Sequence, residues 1–346
     1  AERVVGRELD DVPADAPVLA GATAFKLHDT YGFPIDLTVE LAAEYGVRVD
    51  RDGFEAALQE QRERSRSGAK QDLTRQAELT ALYDSIKRRV GDTAFLGYET
   101  TTAPGRIRAI VRDDTEYDDL EARSDTEGQV EAAAQASIVL DETPFYPEGG
   151  GQIGDQGVFL GEDGEVVFTV TDTQRPVSGL IVHSGTLHGK VSRRQQVQAV
   201  VDADRRARTM RNHTGTHVLH RALRNTLGDS ARQAGSLVTP DYLRFDYPSD
   251  RGLSPEEKTA IEAEVRRVIR EDRPVTPEHM SMSQAQAAGA DAFFDEKYGE
   301  TVRTVRVEDY SHELCGGTHC RATGQIGGFI ITGERSIGSG TVSYTH

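Results

Sequence analysis

The sequence predicts a multidomain α+β protein: a helical segment over residues 1–98, a small β-barrel over 99–202 and an α+β domain over 203–346. Two observations carry this reading. Apolar residues recur at helical spacing through the first hundred positions, at a period of two through the next hundred, and in mixed periods thereafter. The length, 346 residues, suits two or three domains of ordinary size. With 37% hydrophobic residues the chain can build packed cores, and 34 Gly against 12 Pro without a three-residue period excludes a collagen-like or low-complexity polymer.

In the first segment, residues 24–27 lead into His28-Asp29-Thr30-Tyr31-Gly32-Phe33-Pro34, where Gly and Pro force a break. Pro34 suits the start of a second helix, which runs to about Tyr45 and is closed by Gly46; Leu37, Leu41 and Tyr45 form one stripe along it. A third helix is expected from Asp52 as N-cap, carrying Phe54, Ala57 and Leu58, and dissolving in the polar run 61–70. A fourth spans about 75–90, with Leu79, Leu82, Tyr83 and Ile86 on one side.

Strand patterns follow at 106–111, 135–140, 157–160, 166–170, 179–183 and 196–201, separated by turn residues, which suggests a small barrel. The last domain opens with a strong helix over 205–227, stopped by Gly228. Another starts at Ser254-Pro255-Glu256-Glu257, a capping box with Pro at the first helical position, and continues to about Glu271. Strands are expected at 302–307 and 326–333.

Composition narrows the function classes. No apolar run approaches the roughly 18 residues of a membrane span, and the charged opening residues do not form a secretory signal. Two cysteines do not make a disulfide framework and point to a reduced, cytoplasmic setting. The net charge of −17 argues against broad non-specific nucleic-acid binding. A chain opening on Ala suits an excised or processed piece.

His213-Thr214-Gly215-Thr216-His217 lies inside the 205–227 helix. Residues i and i+4 project from one face, so both imidazoles can reach one ion. The same pair alone also suits an exposed or polar interior position. The second element, Cys315-Gly316-Gly317-Thr318-His319-Cys320, sets a soft thiolate four residues before an imidazole, with glycines between that let the backbone fold tightly. Together the two half-sites supply N, N, S and N, a mixed set that zinc takes. A Cys315–Cys320 disulfide is the competing reading, but its short loop would stabilise little. Cys320 follows His319 directly and points elsewhere on the loop, and His220 points to a different part of the helix surface. Gly149, Gly150 and Gly151 can bring backbone N–H groups close to an oxyanion or phosphate, or form a plain barrel turn. Arg205, Arg206, Arg208 and Arg211 lead into the metal helix; with Arg193, Arg194, Arg221 and Arg224 they form a local positive patch that suits RNA phosphates.

The chain resembles the alanyl-tRNA synthetase family, over the tail of its helical tRNA-recognition region and its editing domain. The resemblance rests on Phe25-Lys26-Leu27-His28-Asp29-Thr30-Tyr31-Gly32-Phe33-Pro34-Ile35-Asp36-Leu37, Phe145-Tyr146-Pro147-Glu148-Gly149-Gly150-Gly151-Gln152, the HxxxH helix, Leu243-Arg244-Phe245-Asp246, and Glu313-Leu314-Cys315-Gly316-Gly317-Thr318-His319. It implies a threonyl/alanyl-tRNA synthetase-type editing fold, with Zn²⁺ on His213, His217, Cys315 and His319. It further implies Thr216 as a catalytic hydroxyl, and Gln233 and Gly316 beside the glycine triplet as substrate contacts. The expected partner is the acceptor end of aminoacyl-tRNA, with neither membrane nor DNA, and the adenylate-forming core of the family lies outside the resemblance. The sequence departs from the family at Gly215, where Ala is usual, at Ser230, where His is common, and over 340–346, where two arginines are missing.

Zinc beside an aminoacyl ester can bind the α-amino group, polarise the carbonyl or acidify water. With this chemistry, the activity that the resemblance implies is deacylation of Ser- or Gly-tRNA(Ala) made in error. The alternatives are transfer of the aminoacyl group to a small-molecule acceptor in a biosynthetic pathway, or a non-catalytic tRNA-binding module or synthetase fragment folded around a structural ion.

Overall fold

The computed structural model describes residues 12–13, 15–122, 134–291, 301–338 and 341–345. The charged opening residues, Gly340 and His346 lie outside these. The chain forms two compact units, 1–81 and 82–346.

In the first unit, α1 (Gly21–Tyr31) ends where Gly32 turns left-handed at φ 67°, and α2 (Ile35–Glu44) starts directly after Pro34. Both follow from the Gly and Pro placement. The interior side of these helices holds Ala24, Thr38, Val39 and Ala43, whereas Leu37, Leu41 and Tyr45 of the expected stripe are exposed, Tyr45 to 83%.

The third and fourth expected helices are one: α3 (Arg51–Val90) runs 40 residues. The polar run 61–70 contains no proline, its charged and amide residues are good helix formers, and Gly68 costs only about 1 kcal/mol. Polarity alone does not break a helix. The cap also moves back, because Asp50, not Asp52, accepts the Gly53 N–H at 2.9 Å.

The second unit opens with a barrel of six strands: β1 (Thr102–Arg112), β2 (Ala134–Leu140), β3 (Gly157–Leu160), β4 (Val166–Val177), β5 (Leu180–Leu187) and β6 (Gln196–Val201). They pair in the order β6-β3-β4-β5-β2-β1, and an antiparallel β6–β1 ladder closes the ring. Inward-facing Ile107, Ile138, Phe145, Phe159 and Phe168 fill it. Alternation along the strands thus becomes a sealed apolar interior with no free edge within the ring.

The rest of the unit mixes helices with two small sheets. Helix α4 (Ala203–Leu227) begins at Asp202, whose carboxylate accepts the Arg205 N–H at 2.9 Å, and stops at Gly228. Helix α5 (Pro255–Glu271) carries both bonds of the Ser254/Glu257 capping box. Strands β7 (Gly235–Val238) and β8 (Leu243–Pro248) join β12 (Gly333–Gly338) and β13 (Thr341–Thr345) in the order β7-β8-β13-β12. Between them in sequence, β9 (Val275–Ser281), β10 (Thr301–Val307) and β11 (Ser311–Leu314) form an antiparallel three-stranded sheet. Val218 and Leu223 of α4, Ile261 and Val265 of α5, Phe245 of β8 and Val305 of β10 share one core. The expected strand over 326–333 is absent: a 3-10 turn spans Thr323–Ile326, and regular pairing resumes only at Gly333. Positive φ at Gly327 and a buried Phe329 explain this, since the segment bends to seat Phe329 in the core rather than alternating along a sheet.

Candidate metal centre

Helix α4 presents His213 and His217 one turn apart, their ring centroids separated by 5.4 Å. The loop after β11 brings Cys315 and His319 to the same place, although 102 positions separate Cys315 from His213. One ligand atom from each of these four residues lies within 4.8 Å of all the others. Cys315 Sγ is 3.4 Å from His213 Nε2 and 3.2 Å from His319 Nε2. The two cysteines are not joined in a disulfide, and Cys320 is buried with its N–H on the Thr214 hydroxyl.

Each imidazole has an outer partner. The His213 Nδ1 lies 2.7 Å from Gln152 Oε1, the His319 Nδ1 lies 3.3 Å from Thr214 Oγ1, and the His217 Nδ1 lies 3.1 Å from Glu313 Oε2. Glu313 is buried and its other oxygen is 2.9 Å from His220 Nδ1. His220 therefore belongs to this assembly through a shared carboxylate. At His213 and His319 the engaged Nδ1 leaves Nε2 for an ion, the pattern that orients metal-binding histidines, while His217 faces Glu313 as an ion-pair contact without hydrogen-bond geometry.

Electrostatics favour the same state. Burial, then the neighbouring His217 and Arg303, holds His213 well below the ordinary imidazole range; burial with His213, His217 and Arg303 does the same to His319. Burial also lowers His217, with Glu313 pulling the other way. Neutral imidazoles are the ligating form. Mixed N and S donors at this separation fit zinc.

The loop is held from behind. The Arg303 guanidinium stacks 4.1 Å from the Tyr98 ring centroid and donates to the carbonyls of Cys315 (2.7 Å) and Gly317 (3.0 Å); the Tyr98 hydroxyl donates to the Gly316 carbonyl at 2.6 Å. Three consecutive carbonyls thus point one way. That turns the Gly317 N–H toward Cys315 Sγ (3.3 Å). Gly317 is required by close approach: a Cβ there would stand 2.0 Å from His213 Cε1.

Comparison with known proteins gives the family. Residues 2–205 match the family described as tRNA synthetases class II (A), and residues 302–342 match the threonyl and alanyl tRNA synthetase second additional domain. The chain belongs to the alanyl-tRNA synthetase family. It is 43% identical over 324 residues to an alanine–tRNA ligase of Thermobifida fusca, covering 93% of this chain and 35% of that protein. Against the Chloroflexus aurantiacus alanine–tRNA ligase it is 45% identical over 336 residues, covering 93% and 36% respectively. The chain thus spans about a third of the length of these relatives.

The other residues that the synthetase resemblance singled out take varied places. The Thr216 hydroxyl donates to the Asn212 carbonyl one turn back (2.9 Å), and the Gln233 amide donates to Ser236 Oγ at 3.1 Å. Gly150 and Gly151 adopt φ of 59° and 79°, while the Gly149 N–H is spent on the Gln152 carbonyl. The triplet forms a tight turn that delivers Gln152 inward. Around Gly316 a Cβ would meet nothing within 4 Å, so space lies open beside Cys315. At Gly215 a Cβ would stand 3.3 Å from Leu243 Cδ2, so the family's usual Ala needs only a small shift of a flexible side chain.

The arginine run divides. Arg206 is not offered to RNA: it is buried, its Nε donates to both oxygens of Asp155 (2.9 Å each), and its other nitrogens take the carbonyls of Gly97 (2.7 Å) and Pro144 (2.8 Å). Its heptad spacing from His213 puts it on the same buried face of α4, where a cation must be paired. Arg208 pairs with Asp204 and Asp241. Arg205 and Arg211 form no ion pair among the described residues.

The sequence reading missed Gln152, Glu313, Thr214, Tyr98 and Arg303. Glu313 left a signal, since it stands two residues before Cys315 on an extended segment and so shares its face. The i,i+3 relation of His220 to His217 was another. Gln152 had none: it reaches His213 across 61 positions and Thr318 across 166.

Proposed function

We propose that this chain holds zinc on His213, His217, Cys315 and His319 and hydrolyses the ester of mischarged aminoacyl-tRNA, with Ser- or Gly-tRNA of the alanine type as substrate. The observation that carries the reading is the meeting of four donors from two distant segments beside a cavity. That cavity, about 520 Å³, is lined by Tyr98, Arg206, Arg303, Val305, His319 and Arg321, a size suited to a small ligand. A zinc ion bound there supplies Lewis acidity next to the ester.

The chain's own residues do the rest. Gln152, Thr214 and Glu313 orient the imidazoles. Arg303 and Arg321 line a cationic wall for the phosphate-bearing end of the RNA, and Arg205 and Arg211 extend it along α4. Thr216 and Gln233 carry the hydroxyl and amide proposed to recognise the aminoacyl group, with the open space at Gly316 giving it room.

The test is release of labelled amino acid from Ser-tRNA(Ala) by the zinc-loaded chain, beside a His217→Ala variant. Free serine is expected from the first and none above background from the second; equal release, or none from either, defeats the reading. A second reading is favoured by the donor count, because four protein ligands close a tetrahedral site and are usual for structural zinc. Turnover that vanishes on chelation and returns with zinc, while circular dichroism stays constant, separates the two.

A further inference from the structure

Gln152 is completely buried and touches both halves of the donor set from a third element, the loop between β2 and β3 of the barrel. Its Oε1 accepts the Thr318 backbone N–H at 2.9 Å, and its Nε2 donates to Thr318 Oγ1 at 2.9 Å. A backbone N–H can only donate, so it fixes which end of the amide is oxygen. That same oxygen lies 2.7 Å from His213 Nδ1. The nitrogen facing it must therefore carry the ring proton, which leaves the Nε2 lone pair aimed at Cys315 Sγ and the shared ligand point.

The loop that carries Gln152 is itself clamped. Asp155, three residues on, is held by buried Arg206 and accepts the Tyr146 N–H at 2.6 Å. Arg206 and His213 stand seven residues apart on one face of α4, so the helix grips the loop at two points, once through a charge pair and once through the imidazole. The left-handed turn at Gly150 and Gly151 points the Gln152 side chain inward, and the absent Cβ at Gly151 leaves room for Ser236, whose Oγ would stand 2.2 Å from it.

We infer that Gln152 is a positioning residue of the metal centre: it selects the Nδ1–H tautomer of His213 and joins helix and loop into one ligand set, making the barrel a working part of the site. This rests on the zinc assignment above but not on the reaction, since both readouts below need no tRNA.

The experiment uses the full chain. Long-range ¹H–¹⁵N correlation spectra of the metal-free protein at neutral pH are expected to show His213 protonated on Nδ1; a proton on Nε2 overturns the inference. This readout needs no substitution, so it stands even where a variant fails to fold. Zinc affinity, read by competition with a chromophoric chelator, is expected to fall about 10–100-fold in Gln152→Met, which keeps the length but removes the acceptor. Gln152→Glu, which retains an acceptor oxygen, is expected to keep most of the affinity. Wild-type affinity in Gln152→Met, or equal loss in both variants, overturns it.

Discussion

Two regions of the second unit enclose histidines, to opposite ends. In the barrel, His183 has Nε2 2.8 Å from the Thr143 hydroxyl and Nδ1 2.9 Å from the Ile138 carbonyl, between the edges of Phe145 and Phe159. Both nitrogens are spent, and the ring serves as a polar tie in an apolar core. At the donor set, His213 and His319 engage an outer partner with Nδ1 and set Nε2 against Cys315 Sγ, and His217 brings a third imidazole to the same cluster. Burial alone therefore does not mark a ligand. What marks it is one ring nitrogen left uncommitted and aimed where others converge.

The largest expected effect tests that contrast directly. His319→Gln should reduce zinc affinity by more than the roughly 10–100-fold typical of outer partners, while His183→Gln leaves it unchanged, both read by chelator competition. Equal losses would erase the distinction.

Next comes the tie between the regions. Arg206→Met strands buried Asp155, and removing one partner of a buried pair costs about 3–5 kcal/mol. A lowered urea midpoint of the metal-free protein checks this, and an unchanged midpoint would mean that barrel and helix stand independently.

The third effect is comparable or smaller and depends on pH. Burial holds His183 down at about 4, below its ordinary 6.5, although the Ile138 carbonyl pulls upward. The unfolded chain takes up a proton below 6.5 that the folded barrel refuses, so the neutral ring's stability is present above 6.5 and is lost as pH falls toward 4. The full loss is about 3 kcal/mol. Urea unfolding of metal-free protein at both ends of this window, wild type minus His183→Gln, isolates it; a constant difference would show that the ring is not held neutral.

Much of the local architecture was legible in residue order. The Ser254/Glu257 box, Gly32, Gly228 and the alternating barrel strands announce themselves because caps, turns and pleats depend on near neighbours. The 61–70 run misled because polarity was read as a break, when only Pro or clustered Gly would have interrupted the helix. The exposed Leu37, Leu41 and Tyr45 show that a stripe marks a helix without stating what it packs against. Arg206 is the sharpest case: among four arginines in seven residues, only its seven-residue spacing from His213 sets it apart, and that spacing signals burial only once the His213 face is known to be the inner one.

By itself, then, the amino-acid order determined the two donor pairs, HxxxH and CxxxH, because a helical turn and a glycine-bridged loop fix spacing within five residues. Tertiary structure alone decided that the pairs meet, that Gln152 and Glu313 stand behind them, and that Arg206 is structural. Those outcomes depend on chain segments 51 to 166 positions apart being brought together by two packed cores, and no local periodicity encodes that meeting.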